Sequence, residues 1–184
     1  MRLVLLSVPL MLLAACGGPQ TSQANNAQAN MSNTASPPAT ATASVTADAF
    51  SPVSGDEAKS VMHERHEAME GLGKAMKALH RQLESGKPDI DAVRQQTATM
   101  ATTAPRIPGL FPAGTGPDAG KTRAKPQIWT EHDLFLRRAK DFEIAAQAID
   151  AAARAGDLNK VMASHDGVDK ACKACHDPFR APEH

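Results

Sequence analysis

Residues 158–180 of the chain read LNKVMASHDGVDKACKACHDPFR. Apolar side chains recur here at helical spacing, and the last turns contain a Cys-x-x-Cys-His motif made by Cys172, Cys175 and His176. This motif is the attachment signature of c-type haem. On a helix, cysteines three residues apart share a face, so both sulfurs can reach the vinyl groups of one porphyrin. His176 can then bind the iron as the proximal ligand, and we expect one covalently attached haem c per chain.

Three other chemistries use similar residues. A thioredoxin-like redox pair normally opens a helix after a strand, and no strand pattern precedes Cys172. A structural zinc site needs a fourth ligand at suitable spacing, for which the terminal His184 is the nearby candidate. A plain disulfide would have no use for the histidine. We therefore favour haem.

The residues upstream predict two helices joined by a short turn. The first begins at a candidate capping box, Ser54 to Glu57, and ends at about Ser85, before Gly86. The second begins near Asp89 and ends at Pro105. The inward-facing residues are predicted to be Val61, Met62, Met69, Leu72, Met76, Leu79 and Leu83 in the first helix and Ile90, Val93, Thr97 and Met100 in the second.

A third helix has the clearest periodicity in the chain, and Asp157 caps a fourth. Residues 106–126 are rich in Gly and Pro and predict a crossover loop, with Leu110 and Phe111 against the core. We therefore predict an all-α fold, an antiparallel four-helix bundle over residues 54–184. The inward residues are Ile128, His132, Phe135, Ala139, Phe142, Ala146, Ile149 and Ala153 in the third helix and Leu158, Val161, Met162, Val168 and Ala171 in the fourth.

The N-terminal segment indicates export. Residues 1–16 combine Arg2, an apolar run and a small-residue end at Cys16, which resembles a bacterial lipobox. We expect Cys16 to be lipidated and the protein to lie on the periplasmic side of a bacterial membrane. Gly17 rather than Asp follows Cys16, which by resemblance to enterobacterial sorting rules favours the outer membrane. The alternative is an ordinary signal peptide and a soluble periplasmic protein. Residues 17–53 are uncharged and polar over most of their length and predict a disordered tether.

Composition narrows the class of partner. The 184 residues include 20 basic and 20 acidic side chains, so that net charge is zero, and charges of both signs are interspersed. This pattern gives no reason to expect nucleic acid. We expect redox proteins as partners, a membrane contact through the lipid, and no catalytic residues.

The chain resembles the class II c-type cytochromes, which comprise cytochromes c′ and c-556, over about residues 56–180. The resemblance rests on four segments: RHEAM at 65–69, LFPAGT at 110–115, KPQIW at 125–129, and CKACHDPFR at 172–180. It implies a left-handed bundle that holds haem between helices, and family members are often homodimers through their first two helices.

The resemblance also implies two functions that differ by one bond to iron. In the c-556 type, a first-helix methionine, here Met69, is the sixth ligand and the protein carries single electrons. In cytochromes c′ that position is vacant and the iron binds nitric oxide or carbon monoxide. We expect ligation by Met69, although a core methionine fits the same spacing, and His66 lies close enough in sequence to compete.

Two arginines are candidates for the haem environment. Arg65 falls in the apolar stripe of the first helix and must either meet an anion such as a haem propionate or extend to solvent. Arg180 matches an arginine beside the proximal face in cytochromes c′, although a solvated basic residue is an equal alternative. A peroxidase would need a distal base and a charge-stabilising group, roles for which His66 and Arg65 are the remote candidates.

Overall fold

Four long helices dominate residues 51–182, the part of the chain that the computed structural model describes. They are α1 (Gly55–Glu84), α2 (Ile90–Thr103), α4 (His132–Arg154) and α5 (Leu158–Phe179), and a one-turn helix, α3 (Gln127–Thr130), precedes α4. The predicted all-α four-helix bundle is confirmed. The signal peptide at 1–16, with Cys16, and the tether as far as residue 50 lie outside the described residues, as does His184.

Aspartate side chains begin two of the four long helices. Asp89 accepts hydrogen bonds from the backbone of Asp91 and Ala92, and Asp157 accepts one from Lys160 N at 2.9 Å. Each bond satisfies an amide that would otherwise lack a partner in the first helical turn. The predicted capping box of α1 is wrong, because Ser54 makes no side-chain cap bond.

The backbone at the start of α1 is unusual at Gly55 and not at Ser54. Ser54 has the extended conformation typical of an N-cap, whereas Gly55, the first helical residue, has a φ of +59°, in the left-handed region that favours glycine.

The predicted third helix is interrupted. The backbone leaves helical geometry at Glu131, with φ −115° and ψ 45°, between α3 and α4. The side chains on both sides of this break still reach the core, since Ile128 is 2% exposed and Phe135 is 1% exposed. The periodic burial of side chains therefore continues across Glu131, and the apolar pattern gives no sign that the backbone is interrupted there.

The core lies where α1, α2, α4 and α5 meet, with the crossover loop over one end. Two short 3₁₀ turns, Ala104–Arg106 and Pro108–Leu110, start that loop and bury Leu110 and Phe111 as predicted. Met162 was predicted to face inward and is 53% exposed, because Val161 and Val168, seven residues apart, occupy the buried side of α5. None of the helices within residues 51–182 is long and apolar enough to cross a membrane.

The stripe of α1 is less buried than its pattern predicted. Leu79 is fully buried, whereas Met62, Met69, Leu72 and Met76 are only half-buried. These four side chains line a cavity inside the bundle, so the apolar surface that they leave exposed faces an internal space.

Candidate haem site

A cavity of about 1080 Å³ lies between α1, the crossover loop, α4 and α5. Sites for small molecules and cofactors usually have volumes of about 300–1000 Å³. Its two principal surfaces are the α5 wall and the α1 wall. The α5 wall is formed by Cys172, Cys175, His176 and Phe179, and the α1 wall by Met62, Met69, Leu72 and Met76.

The α5 wall brings the three residues of the Cys-x-x-Cys-His motif to the cavity. Cys172 and Cys175 are free, half-buried thiols. Burial raises the pKa of each thiol to about 11, so both are neutral at physiological pH. Burial and the neighbouring Arg180 and Arg123 lower the pKa of His176. A neutral imidazole is the form that binds iron, and neutral sulfurs on an apolar wall suit thioethers to a porphyrin.

The competing interpretations of the motif find no support in this geometry. The sulfurs form no disulfide. Within residues 51–182 no strand precedes α5, as a thioredoxin-like pair would require. The metal-ligand grouping found among those residues is His66, Glu67 and Glu70 on the surface of α1, and it includes neither cysteine. His184, the fourth ligand considered for a zinc site, lies outside the described residues.

A backbone strap holds the end of α5, and sequence reasoning missed it. Residues 123–125 run antiparallel to residues 179–181. Lys125 N donates to Phe179 O at 2.9 Å, and Ala181 N donates to Arg123 O at 2.8 Å. The Arg123 side chain also donates to Ala181 O through Nε at 2.8 Å. Pairing between backbone groups leaves no periodic trace in the sequence, so no pattern could have revealed it.

Three aromatic rings connect the crossover loop to the end of α5. Phe111 meets Phe135 edge-on with ring centroids 4.9 Å apart, and Phe135 meets Phe179 in the same way at 5.5 Å. All three rings line the cavity. Edge-to-face contacts of this kind stabilise a fixed arrangement beyond the burial of area alone. The end of the cavity is therefore a rigid aromatic surface.

Met69 lies on the α1 wall, half-buried and facing the cavity. This location agrees with the expectation that it faces the iron, while ligation itself stays a prediction. His66 also lines the cavity, although its side chain is exposed. His132 is half-buried and lies outside the cavity lining.

Arg65 is buried and does not extend to solvent, so that alternative is wrong. Its side chain is only 5% exposed, and Nη1 donates to Thr115 Oγ1 at 3.0 Å. Nη2 donates to Thr115 O at 2.9 Å and to Thr122 Oγ1 at 3.1 Å. The guanidinium also lies 4.8 Å from the ring centre of Phe111. Burial lowers its pKa to about 10, which still leaves the group charged at neutral pH.

These contacts satisfy the buried charge of Arg65 within the protein. A peroxidase-like role would require the guanidinium to stabilise charge at the iron, but its donors are directed at the loop. Arg180 is exposed at the cavity, and its backbone N–H donates to His176 O at 2.9 Å. Its place beside the proximal face of the haem stays a prediction.

The cavity fits a haem in shape and in donor chemistry. It is an apolar space with two thiols and one neutral imidazole together on the α5 wall. The family model for cytochrome c′ matches residues 60–180. The chain belongs to the cytochrome c′ family. Members of this family carry one covalently attached haem c per chain, and this protein does so as well.

Curated relatives include cytochromes c′ and a cytochrome c-556. Cytochrome c′ from Rubrivivax gelatinosus is 35% identical over 97 residues, which cover 52% of this chain and 74% of the relative. Cytochrome c-556 from Rhodopseudomonas palustris is 30% identical over 130 residues, which cover 68% of this chain and 85% of the relative.

Solved structures of cytochromes c′ share the architecture. The protein from Thermochromatium tepidum is 30% identical with a TM-score of 0.63, over 68% of this chain and 97% of that one. A cytochrome c′ with ligand-controlled dimer dissociation is 26% identical, with the same TM-score and coverage. A nitric oxide complex of a cytochrome c prime mutant from Alcaligenes xylosoxidans is 25% identical with a TM-score of 0.59, over 68% and 97% of the two chains.

Proposed function

We propose that this protein is a gas-binding cytochrome c′ whose haem iron is five-coordinate and takes nitric oxide or carbon monoxide on the side of the α1 wall. In this proposal Cys172 and Cys175 form the thioethers and His176 is the protein ligand to iron. When bound, the haem supplies an iron with one coordination position open to a diatomic gas. Gas binding thus takes the place of the function that we expected from the sequence, which was electron carriage with Met69 as the sixth ligand to iron.

The proposal rests on the α1 wall, which presents apolar side chains to the haem cavity of this member of the cytochrome c′ family. Met69, Leu72 and Met76 face the cavity there, and the lysines and histidines of α1 that also line it, such as Lys74 and His66, have exposed side chains. The nitric oxide complex of the Alcaligenes xylosoxidans mutant supports it, since that protein shares this fold. An apolar wall keeps water and anions away from an open iron position and admits small neutral gases.

Electron carriage is the second candidate, because Met69 offers a thioether to the same cavity and a cytochrome c-556 is 30% identical to this chain. Ligation by Met69 opposite His176 would keep the iron low-spin and raise its reduction potential. Both candidates fit a periplasmic haem protein, and the ligand-controlled dimer among its structural neighbours supports a homodimer as the working assembly.

Absorption spectra of the holoprotein and of Met69→Leu separate the two candidates. Leucine keeps the wall apolar and close in volume but has no sulfur. We expect the wild-type ferric protein to be high-spin, the ferrous protein to bind carbon monoxide, and Met69→Leu to leave the spin state unchanged. Met76→Leu is the matched control on the same wall. A low-spin wild-type spectrum that becomes high-spin only in Met69→Leu would overturn gas binding in favour of electron carriage.

A further inference from the structure

Two histidines meet between α1 and α5, just beyond the haem cavity. The rings of His80 on α1 and His165 on α5 have centroids 5.5 Å apart, and their planes are inclined by 22°. The lining of the cavity ends at Lys77 on α1 and begins at Ala171 on α5, so the pair lies past the end of the cavity on both helices. It is therefore a contact between the two helices that carry the principal walls of the haem cavity.

His165 contains a buried polar atom without a partner. Its Nε2 is shielded from solvent, and no hydrogen-bond donor or acceptor within residues 51–182 reaches it. Most buried polar atoms in folded proteins have a hydrogen-bond partner, so an exception of this kind requires an explanation. A bound metal ion is one such explanation, because the nitrogen of a neutral imidazole is the commonest metal ligand among protein side chains.

A carboxylate lies beside the two histidines. Glu84 follows His80 by one turn of α1, and its Oε1 is 3.1 Å from His80 Nε2. Two ligand atoms on one tetrahedral zinc ion are about 3.3 Å apart, and two imidazoles on it have ring centres about 5.2 Å apart. The corresponding distances in this protein, 3.1 Å and 5.5 Å, are close to both values. The side chains of His80 and Glu84 are 55% and 65% exposed, so turning them towards His165 breaks only a surface pair.

We propose that His80, Glu84 and His165, here called the α1–α5 set, bind a divalent metal ion with the ligand preference of zinc. Two imidazoles and one carboxylate are a ligand set that zinc takes in proteins, with water in the fourth position. The ion gives Nε2 of His165 the partner that it lacks within the described protein. It also holds α1 to α5 beside the haem cavity. The site is separate from the haem, so the proposal does not depend on whether the iron binds gas or carries electrons.

A second group of metal-ligand side chains lies on the surface of α1. His66, Glu67 and Glu70 have ligand atoms within 4.8 Å of one another, whereas the α1–α5 set closes by rotation of its exposed side chains. The second group has a single imidazole, all three of its residues are exposed, and Glu70 is paired with Lys74 at 2.7 Å. Imidazole suits zinc better than carboxylate does. We therefore assign the ion to the α1–α5 set, and the experiment is designed to separate the two groups.

The test is calorimetric titration of the ferric holoprotein with zinc chloride at neutral pH. The variants are His80→Ala and His165→Gln, and the matched control is His66→Ala, which removes one exposed imidazole of α1 from the second group. We expect the wild type to bind one zinc ion per chain. Each variant of the α1–α5 set should bind it at least about tenfold more weakly. The control should stay within about twofold of the wild type, because its imidazole is not a ligand in this proposal.

Thermal unfolding provides a second measurement, because an ion that binds only the folded bundle raises the unfolding midpoint. Zinc should raise the midpoint of the wild type and of His66→Ala, EDTA should reverse the rise, and His80→Ala should show none. Zinc binding that is lost in His66→Ala but kept in His80→Ala would overturn the proposal, as would a wild type that binds no zinc. His80 is exposed, so His80→Ala tests the site without disturbing the core. Unchanged haem spectra and circular dichroism exclude misfolding as the cause of a loss.

Discussion

The two walls of the haem cavity are built in opposite ways. The α5 wall takes its chemistry from Cys172, Cys175 and His176, which lie within five consecutive positions of one helix. The α1 wall depends on a crossover loop distant in sequence, which Arg65 joins to α1 through acceptors 45 to 57 positions away. The motif residues share one side of α5 as soon as that helix forms, whereas the α1 wall forms only once the helices and the loop have packed together.

The region around Arg65 and the α5 motif also differ in how much their side chains contribute to the stability of the fold. Arg65 carries a buried charge, and removing either partner of such an arrangement leaves groups without hydrogen bonds in an apolar place. The motif residues on α5 carry no charge that must be compensated, because the thiols are neutral and the imidazole has a lowered pKa. We therefore expect changes on α5 to alter cofactor chemistry and changes around Arg65 to alter stability.

The largest expected effect is loss of the cofactor in Cys172→Ser/Cys175→Ser. Serine cannot form a thioether, so denatured protein should show no covalently bound haem by mass spectrometry. Without covalently bound haem, the cavity of about 1080 Å³ would lose its occupant, and the apolar walls would lose the group that packs between them. We expect unfolding to become less cooperative.

Ala174→Ser is the matched control, since it lies between the two cysteines and leaves both sulfurs in place. It should retain covalent haem at the wild-type level. Covalent haem in the double serine variant would show that the α5 wall is not the attachment site.

The next effect is expected at Arg65→Met. Methionine keeps much of the apolar stem, but it removes the donors to Thr115 and Thr122. We expect the free energy of unfolding to fall by about 3 kcal/mol, because hydrogen bonds from a charged group are lost in a buried place. Denaturant unfolding followed by circular dichroism measures this.

Arg106→Met provides the comparison. Arg106 is paired with Glu64 on the surface, where both side chains are more than half exposed. Such a pair is worth about 0–1 kcal/mol, so this variant should be nearly as stable as the wild type. Equal losses for the two variants would mean that burial of Arg65 is not what joins α1 to the loop.

The smallest effect is expected at Thr122→Val. Valine keeps the shape but loses the hydroxyl that accepts from Arg65 at 3.1 Å and from Ala124 N at 3.1 Å. We expect a loss of about 1 kcal/mol, since the other acceptors of Arg65 remain. Thr102→Val, at an exposed position of α2, should change stability by no more than about 0.5 kcal/mol. A loss at Thr122 as large as that of Arg65→Met would place most of the α1-to-loop connection in this one bond.

Much of the fold was predictable because its helices bury regular apolar stripes. The pattern located α1, α2, α4 and α5 closely, and most residues buried in α4 are those it predicted, such as Phe135, Phe142 and Ile149. It missed Asp150 and Ala152, which are buried as well. The pattern was wrong where the outcome depends on details that the distribution of apolar residues does not contain. The break at Glu131 and the missing Ser54 cap depend on backbone angles, and Met162 lies just off the buried side of α5.

Within the site, the sequence by itself determined the cofactor, because the spacing of two cysteines and a histidine on one helix is a local property. The tertiary structure decided what surrounds that cofactor. It directed Arg65 into the crossover loop and paired residues 123–125 with residues 179–181. Contacts of this kind join residues far apart in sequence, and they exist only once the bundle has formed.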